Sequence, residues 1–332
     1  MTILVTGATG FLGSAVARAL LGRGEAVRVL VRPTNRDRRN IAGLDVEIAE
    51  GDLNDPPSLR DALRNCRALY HTAADYRLWA RDPRAIYETN VAATGRLLRV
   101  ACDEGVQRIV YTSSVATLGR EPSKRPADEN TPVTIEDMTG HYKRSKFMAE
   151  EEVKRLVREE RMPVVIVNPS TIIGPRDIRP TPTGRVVEEA VRGRIPAFVD
   201  TGLNIVHVDD VAEGHVQAFE HGEIGERYVL GGEDMMLNEF LAEIALLVGR
   251  RPPKIRLPRG AVLPIAHVAE AFARLRRTEK EPLLTVDGLK MSKTLMFFSS
   301  DKAKKALGYA PRPAREAIAD AVDWVRTHRL NS

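Results

Sequence analysis

"VTGATGFLG", residues 5–13, sets Gly7, Gly10 and Gly13 three apart directly after the apolar run Ile3, Leu4, Val5. Glycines between a strand and its following helix let the turn close tightly, let the backbone approach a ligand, and let the helix lie close on the sheet. The spacing differs from the standard Gly-x-Gly-x-x-Gly, so its meaning depends on its surroundings.

Those surroundings alternate. After the glycines, "FLGSAVARALLGRG" has helical spacing and "AVRVLVR" is again an apolar, β-branched run. "VEIAEGD", "ALYHTAA", "RIVYTSS" and "VVIVNPS" continue as strands. Between them lie helices over "PPSLRDALRNC", over residues 83–104, and over 141–161 up to Pro163. Strands separated by helices need crossover connections, and near-continuous apolar strands fit a sheet covered on both faces. The expected fold is α/β, a doubly wound parallel sheet. Beyond about residue 170 the rhythm loosens into the proline-rich "GPRDIRPTPTG", a helix at 185–193, "NIVHVDDVAEGHVQAFEHG" as strand then helix, the strand "RYVLGG", and mostly helix from Leu237 to a last one near 313–327. Residues 1–170 therefore read as the main domain. Residues 171–332 read as a smaller, mostly helical substrate region, with 204–222 returning to the main domain.

Composition narrows the classes. The 332 residues contain no apolar run of membrane-spanning length, and the first residues read as a buried strand, so a cytoplasmic location is expected. Cys66 and Cys102 stand apart and read as reduced thiols, and the seven histidines show no metal-ligand spacing. The net charge is +5. The basic run "RPTNRDRR" reads as a solvated face, with no nucleic-acid module beside it.

The decisive context is "TSSVAT" (112–117) at a strand end and "YKRSK", which sets Tyr142 and Lys146 four apart on one helical face. Thr6, Gly7, Gly10, Gly13, Ser114, Tyr142 and Lys146 resemble the signature of the extended short-chain dehydrogenase/reductase family, the Rossmann-like NAD-dependent epimerase/dehydratases. "GDLND", "HTAA", Asn90 in "YETNV" and "HVDDVA" extend the likeness over most of the chain. "AADYRLWARDP", "VNPSTIIGP", "PTPTGR" and "FFSSDKAKKALGY" look closest to the hopanoid-associated sugar epimerase group, which is similar to dihydroflavonol 4-reductases.

The resemblance implies an NAD(P)-dependent enzyme that transfers hydride at a carbinol or carbonyl carbon. It places Gly7, Thr9, Gly10, Phe11, Leu12 and Gly13 at the cofactor, whose phosphates a helix amino terminus favours. It places Asp52 and Leu53 at the adenine, although Asp52 also suits a turn cap, Ala73 and Ala74 where a small side chain lets the strand pass beside the cofactor, although core packing suits them too, and Pro169 near the cofactor carboxamide. Ser114, Tyr142 and Lys146 are the implied catalytic residues. A tyrosine with an ordinary pKa of about 10 needs help to ionise, and the Lys146 ammonium is expected to give it. Arg32 stands after the second strand, where an acid would accept the 2′-hydroxyl of NAD, so NADP is expected, with NAD as the alternative. Arg36, Arg38 and Arg39 either add potential there or are solvated.

Tyr76, Ser114, Asn168 and His207 are the expected substrate contacts, His207 with the alternative of a structural role beside Asp209; Trp79 shares the loop of Tyr76. Nucleotide-sugar epimerases of the family carry an arginine where this chain has Leu203. That departure leaves open epimerisation of a sugar or lipid-linked polyol, NADPH-dependent carbonyl reduction, and a non-catalytic cofactor sensor. Ile265, Val268, Phe272 and Leu275, beside Arg274, Arg276 and Arg277, form an apolar stripe that suits core packing, a pocket roof or a peripheral membrane contact. Family members often dimerise through two long helices, for which 83–104 and 141–161 are the candidates.

Overall fold

The computed structural model describes residues 2–77, 82–120, 125–275 and 285–330. Its first half runs β1 (Thr2–Thr6), α1 (Phe11–Gly22), β2 (Val27–Val31), β3 (Val46–Glu50), α2 (Pro56–Leu63), β4 (Cys66–His71), α3 (Arg84–Tyr87), α4 (Ala93–Asp103), β5 (Arg108–Thr112), α5 (Gly140–Glu160) and β6 (Val164–Pro169). The second half runs β7 (Thr171–Ile173), α6 (Pro182–Val191), β8 (Ala197–Phe198), β9 (Gly202–His207), α7 (Val208–His221), β10 (Arg227–Leu230), β11 (Glu233–Met236), α8 (Leu237–Leu247), β12 (Ile255–Arg256), α9 (Arg259–Leu275), α10 (Val286–Met291), α11 (Asp301–Leu307) and α12 (Ala314–His328). The helix expected over 83–104 is α3 and α4 joined by one π turn at Glu88–Ala92.

Seven parallel strands form the main sheet in the order β10-β6-β5-β4-β1-β2-β3. Leu4, Val5, Leu69, Val110 and all of β6 are buried, as a sheet covered on both faces requires. One face packs Val5, Val29, Val165 and Val167 with Ala15, Val16 and Leu20 of α1 and Val211 and Val216 of α7. The other packs Leu4, Leu69, Ile109 and Ile166 with Leu59 of α2, Leu97 of α4 and Val153 of α5. Chain segments beyond residue 170 complete these layers: β10 forms the sheet edge and α7 lies along α1. A three-stranded sheet, β11-β9-β7, packs with α6, α8 and α12 as a second, smaller body. The carboxy-terminal region thus carries strands that its helical periodicity does not announce.

The apolar stripe of α9 does not pack on the core. Ile265, Val268 and Phe272 are exposed, because α9 turns Val262 and Ala266 inward against Val286 and Leu289. The side chains of Arg274 and Leu275, and residues Arg276 and Arg277, lie outside the described residues. Among those described, no helix is long and apolar enough to cross a membrane, and no cluster of His, Cys, Asp and Glu is arranged to hold a metal.

The sheet order reverses at β1, whose neighbours β4 and β2 are entered from opposite directions, and such a switch point opens a crevice at the strand carboxyl ends. The glycines let α1 start almost on top of it. Gly7 has φ +74°, and a Cβ there would meet Ala73 N at 2.8 Å. A Cβ on Gly13 would run into the Gly7 carbonyl and the Thr72 hydroxyl. Gly13→Ala should therefore lower the unfolding free energy by about 1–3 kcal/mol, the usual cost of an overpacked contact, as read by denaturant titration. Undiminished stability would mean that α1 can move off the turn and that its close approach is not required.

Candidate active site

A cavity of about 1390 Å³ opens over this crevice, with the turn at Gly7–Gly13 on one side and the segment after β5 and the start of α5 on the other. Its cofactor end is built as a cradle for an anion. α1 starts at Gly10 with no acidic residue in its first turn and no side-chain cap, so its first amides and positive dipole end are open to a phosphate. Thr9, Gly10, Phe11, Leu12 and Gly13 all line the cavity, as do Arg32, Asp52, Leu53, Ala73, Ala74 and Pro169. Asp52 also accepts a hydrogen bond from Asn54 N at 2.8 Å, so the lining role and the turn-capping role coexist.

Beneath the glycine turn, Thr6 and Thr94 hydroxyls contact the two nitrogens of His71 at 2.8 and 3.0 Å. Burial holds that imidazole neutral, with its pKa drawn down to about 3. Thr72 donates to the Thr6 carbonyl at 2.6 Å, fixing the β4 end beside Gly7. The π turn buries Asn90, which accepts from Asp75 N at 2.8 Å and donates to Asp75 O at 2.9 Å, holding the loop that carries Tyr76. Tyr76 lines the cavity and is 46% exposed. Trp79 lies outside the described residues.

Of the basic run after β2, Arg32 alone reaches the cavity wall, and among the described residues it has no ion-pair partner. Arg38 pairs with Glu50 at 2.6 Å and Arg39 with Asp37 at 2.8 Å; Arg36 is off the wall.

Ser114 and Tyr142 both line the cavity, and the Ser114 hydroxyl accepts from Ala116 N at 3.1 Å. Burial raises the Tyr142 pKa above its ordinary value, and the nearby Ser114 hydroxyl works against it. The expected phenolate support from Lys146 is not the arrangement found. The Lys146 ammonium contacts Thr112 O at 2.8 Å and Tyr111 Oη at 3.2 Å, and burial draws its pKa down to about 8. These contacts tie the ammonium to the β5 end and not to Tyr142, whose phenol burial holds above its ordinary value.

Two expected substrate contacts are not brought to the cavity. Asn168 is fully buried, because it lies on the β6 face shared with Val164 and Ile166, which turns it toward α5. Its amide donates to Glu150 Oε2 at 2.8 Å and to Ser114 O at 3.1 Å. His207 caps α7 instead: its Nδ1 accepts from Asp209 N at 3.0 Å and Nε2 meets Asp320 Oδ2 at 3.1 Å. That is the structural alternative.

Glu150, one turn beyond Lys146 in α5, carries no sequence signal and organises the site from behind. It accepts from Ser113 Oγ at 2.5 Å, from Thr117 Oγ1 at 2.8 Å and from Asn168, and it pairs with Arg227 at 2.9 Å and Lys154 at 3.0 Å. Burial by itself would raise its pKa, but Lys154, Ser113, Arg227 and Thr117 together hold it at about 2. The cage fixes both residues flanking the Ser113–Ser114 bend. Arg179, from the proline-rich loop, also reaches the wall and bonds Asn35 and Asp37 at 3.0 Å.

A family model, the NAD-dependent epimerase/dehydratase family, matches residues 3–231. The chain belongs to this family. It is 40% identical to a dihydroflavonol 4-reductase-like protein of Synechocystis sp. over 98% of this chain and 94% of that one. It is 36% identical to sterol demethylase protein B of Methylococcus capsulatus, over 98% of each chain. The crystal structure of gox2253 superposes with TM-score 0.88 at 53% identity, covering 99% of this chain and 98% of that one. NAD(P) dependence follows from the family, and the glycine cradle fits it.

Because Glu150 is held below its ordinary carboxyl value, its contribution to stability is complete above about pH 4.5 and is lost as the pH falls toward 2. Glu150→Gln removes the buried charge opposite Arg227 and Lys154, which keep only Glu129 O and Glu151 as partners, and should cost on the order of 3–5 kcal/mol at neutral pH. Denaturation midpoints from pH 3 to 7 check this: the gap between the variant and the parent should narrow at the acid end, and a constant gap would remove the linkage.

Proposed function

We propose that this protein is an NADP(H)-dependent carbonyl reductase, or in reverse a carbinol dehydrogenase, acting on a largely apolar small molecule. The observation that carries it is that Ser114 and Tyr142 line the same cavity as the glycine cradle and the apolar side chains of Val199, Leu203, Phe240, Leu295, Phe297 and Phe298. An apolar chamber binds a hydrocarbon body by removing it from water and offers little to a polyhydroxylated sugar.

When bound, the nicotinamide supplies or accepts hydride. The chain's own residues do the rest. Ser114 and Tyr142 hold the substrate oxygen, and Tyr142, neutral by burial, donates its proton to that oxygen as the carbonyl is reduced. The family resemblance assigns Lys146 to the cofactor ribose, and its ammonium is anchored at the β5 end by Thr112 O. Arg32, exposed and unpaired among the described residues, matches a 2′-phosphate by charge and planar fork.

The second reading is redox-neutral epimerisation, favoured by the family and by the hopanoid-associated resemblance. Candidate apolar ketones offered with stoichiometric NADPH separate the two. Reduction consumes one cofactor per product; an inverted carbon without cofactor loss overturns the first reading.

Tyr142→Phe should abolish turnover while leaving cofactor affinity within a few fold, since only the proton-transfer hydroxyl is lost. Retained turnover would remove Tyr142 from the chemistry. Arg32→Ala should weaken NADPH binding by about 1–3 kcal/mol with little effect on NADH, measured by calorimetry. Equal losses would show that Arg32 does not read the 2′-phosphate.

A further inference from the structure

The substrate chamber carries positive charge that the protein does not neutralise. Lys143, the residue after Tyr142, lines the cavity yet is only 5% exposed. Among the described residues no hydrogen bond or ion pair holds its ammonium, although buried ammonium groups are ordinarily paired. Arg120, half-buried on the same wall, is likewise unpaired. The two cations are close enough for Arg120 to oppose the charge on Lys143, which burial and Arg120 together draw down to about 8. Among the described residues the carboxylate whose field reaches Arg120 is Asp137, and its oxygen is already taken up by Thr134 N at 2.9 Å and Thr134 Oγ1 at 3.1 Å. The acids on the described cavity wall are Asp52 and Asp75, both at the cofactor end. The same cavity wall carries the apolar side chains of Val115, Leu118, Met296 and Phe298 and the further basic residues Arg125 and Lys293.

Keeping two like charges together in a water-poor, apolar wall is unfavourable unless something of opposite charge joins them. We propose that the substrate is an apolar molecule bearing one anionic group, a carboxylate or a phosphate, that Lys143 and Arg120 hold beside the carbon facing Tyr142. Lys143 is then a specificity-determining residue, and because it lines the same cavity as Tyr142 the anion is held in the chamber that contains the reacting carbon. This rests on the reading of the cavity as a reductase site, but the anion site is testable without turnover.

The test is calorimetry on the full chain saturated with NADP+, titrated with decanoate, decyl phosphate and decanol, probes of one chain length that differ in head group. In the parent protein at least one anionic probe should bind about tenfold or more tightly than decanol, the scale of a charge-assisted contact. Lys143→Met and Arg120→Met should each remove most of that preference, and Lys143→Arg should keep it, with decanol and NADP+ affinities unchanged. The ratio of decanoate to decyl phosphate identifies the head group. Equal affinity for all three probes, no binding of any, a preference surviving in both Met variants, or a loss confined to NADP+ would each overturn the proposal. If the preference appears as expected but neither 3-oxodecanoate is reduced nor 3-hydroxydecanoate oxidised, the anion site stands and the reductase reading falls.

Discussion

The site depends on one close approach, that of α1 to the end of β1, where Gly13 lies against the Gly7 carbonyl and Gly7 against the backbone of Ala73. Side chains at those points would push the helix away from the sheet. Because they are absent, the helix amino terminus reaches the switch point of the sheet, and its open amides face the crevice between β1 and β4. The rest of the cofactor end follows: Thr72 fixes the β4 end to Thr6, and Asn90 fixes the loop beyond it.

A second constraint builds the other wall. Ser114 has to stand beside Tyr142 although one follows a strand and the other opens a helix. The buried carboxylate of Glu150 joins these parts, binding Ser113 and Thr117 from the bend, Asn168 from β6 and Arg227 from β10. A charge this buried is tolerated because every oxygen is matched, and that matching gives the bend little freedom. The same low-polarity surroundings that make the carboxylate a good organiser keep Tyr142 neutral and lower Lys143 and Lys146. One environment therefore acts on both the phenol proposed as proton donor and the lysines beside it.

Much of this was legible in the chain. The seven main strands, the glycine turn, Ser114, Tyr142, Arg32, Asp52 and Ala73 could be placed because each belongs to a local pattern: an apolar run, a turn, or two residues four apart on a helix. Asn168 and His207 were misplaced for one reason. A strand end puts alternate side chains on opposite faces, and which face meets the cavity is settled by the packing of distant elements, here α5 for Asn168 and α12 for His207. The α9 stripe failed similarly, since helical spacing marks an apolar face without saying that α10 covers a different one.

By itself the sequence determined the doubly wound sheet and the glycine turn at its switch point, because strand periodicity and glycine geometry are properties of short segments. Only the tertiary structure decided that Lys146 binds Thr112 and Tyr111, that Glu150 is the organiser, and that Lys143 and Arg120 share a cavity wall on which, among the described residues, no acid pairs with them. These are consequences of burial and of charges meeting across elements far apart in the chain, and both depend on which surfaces the fold removes from water.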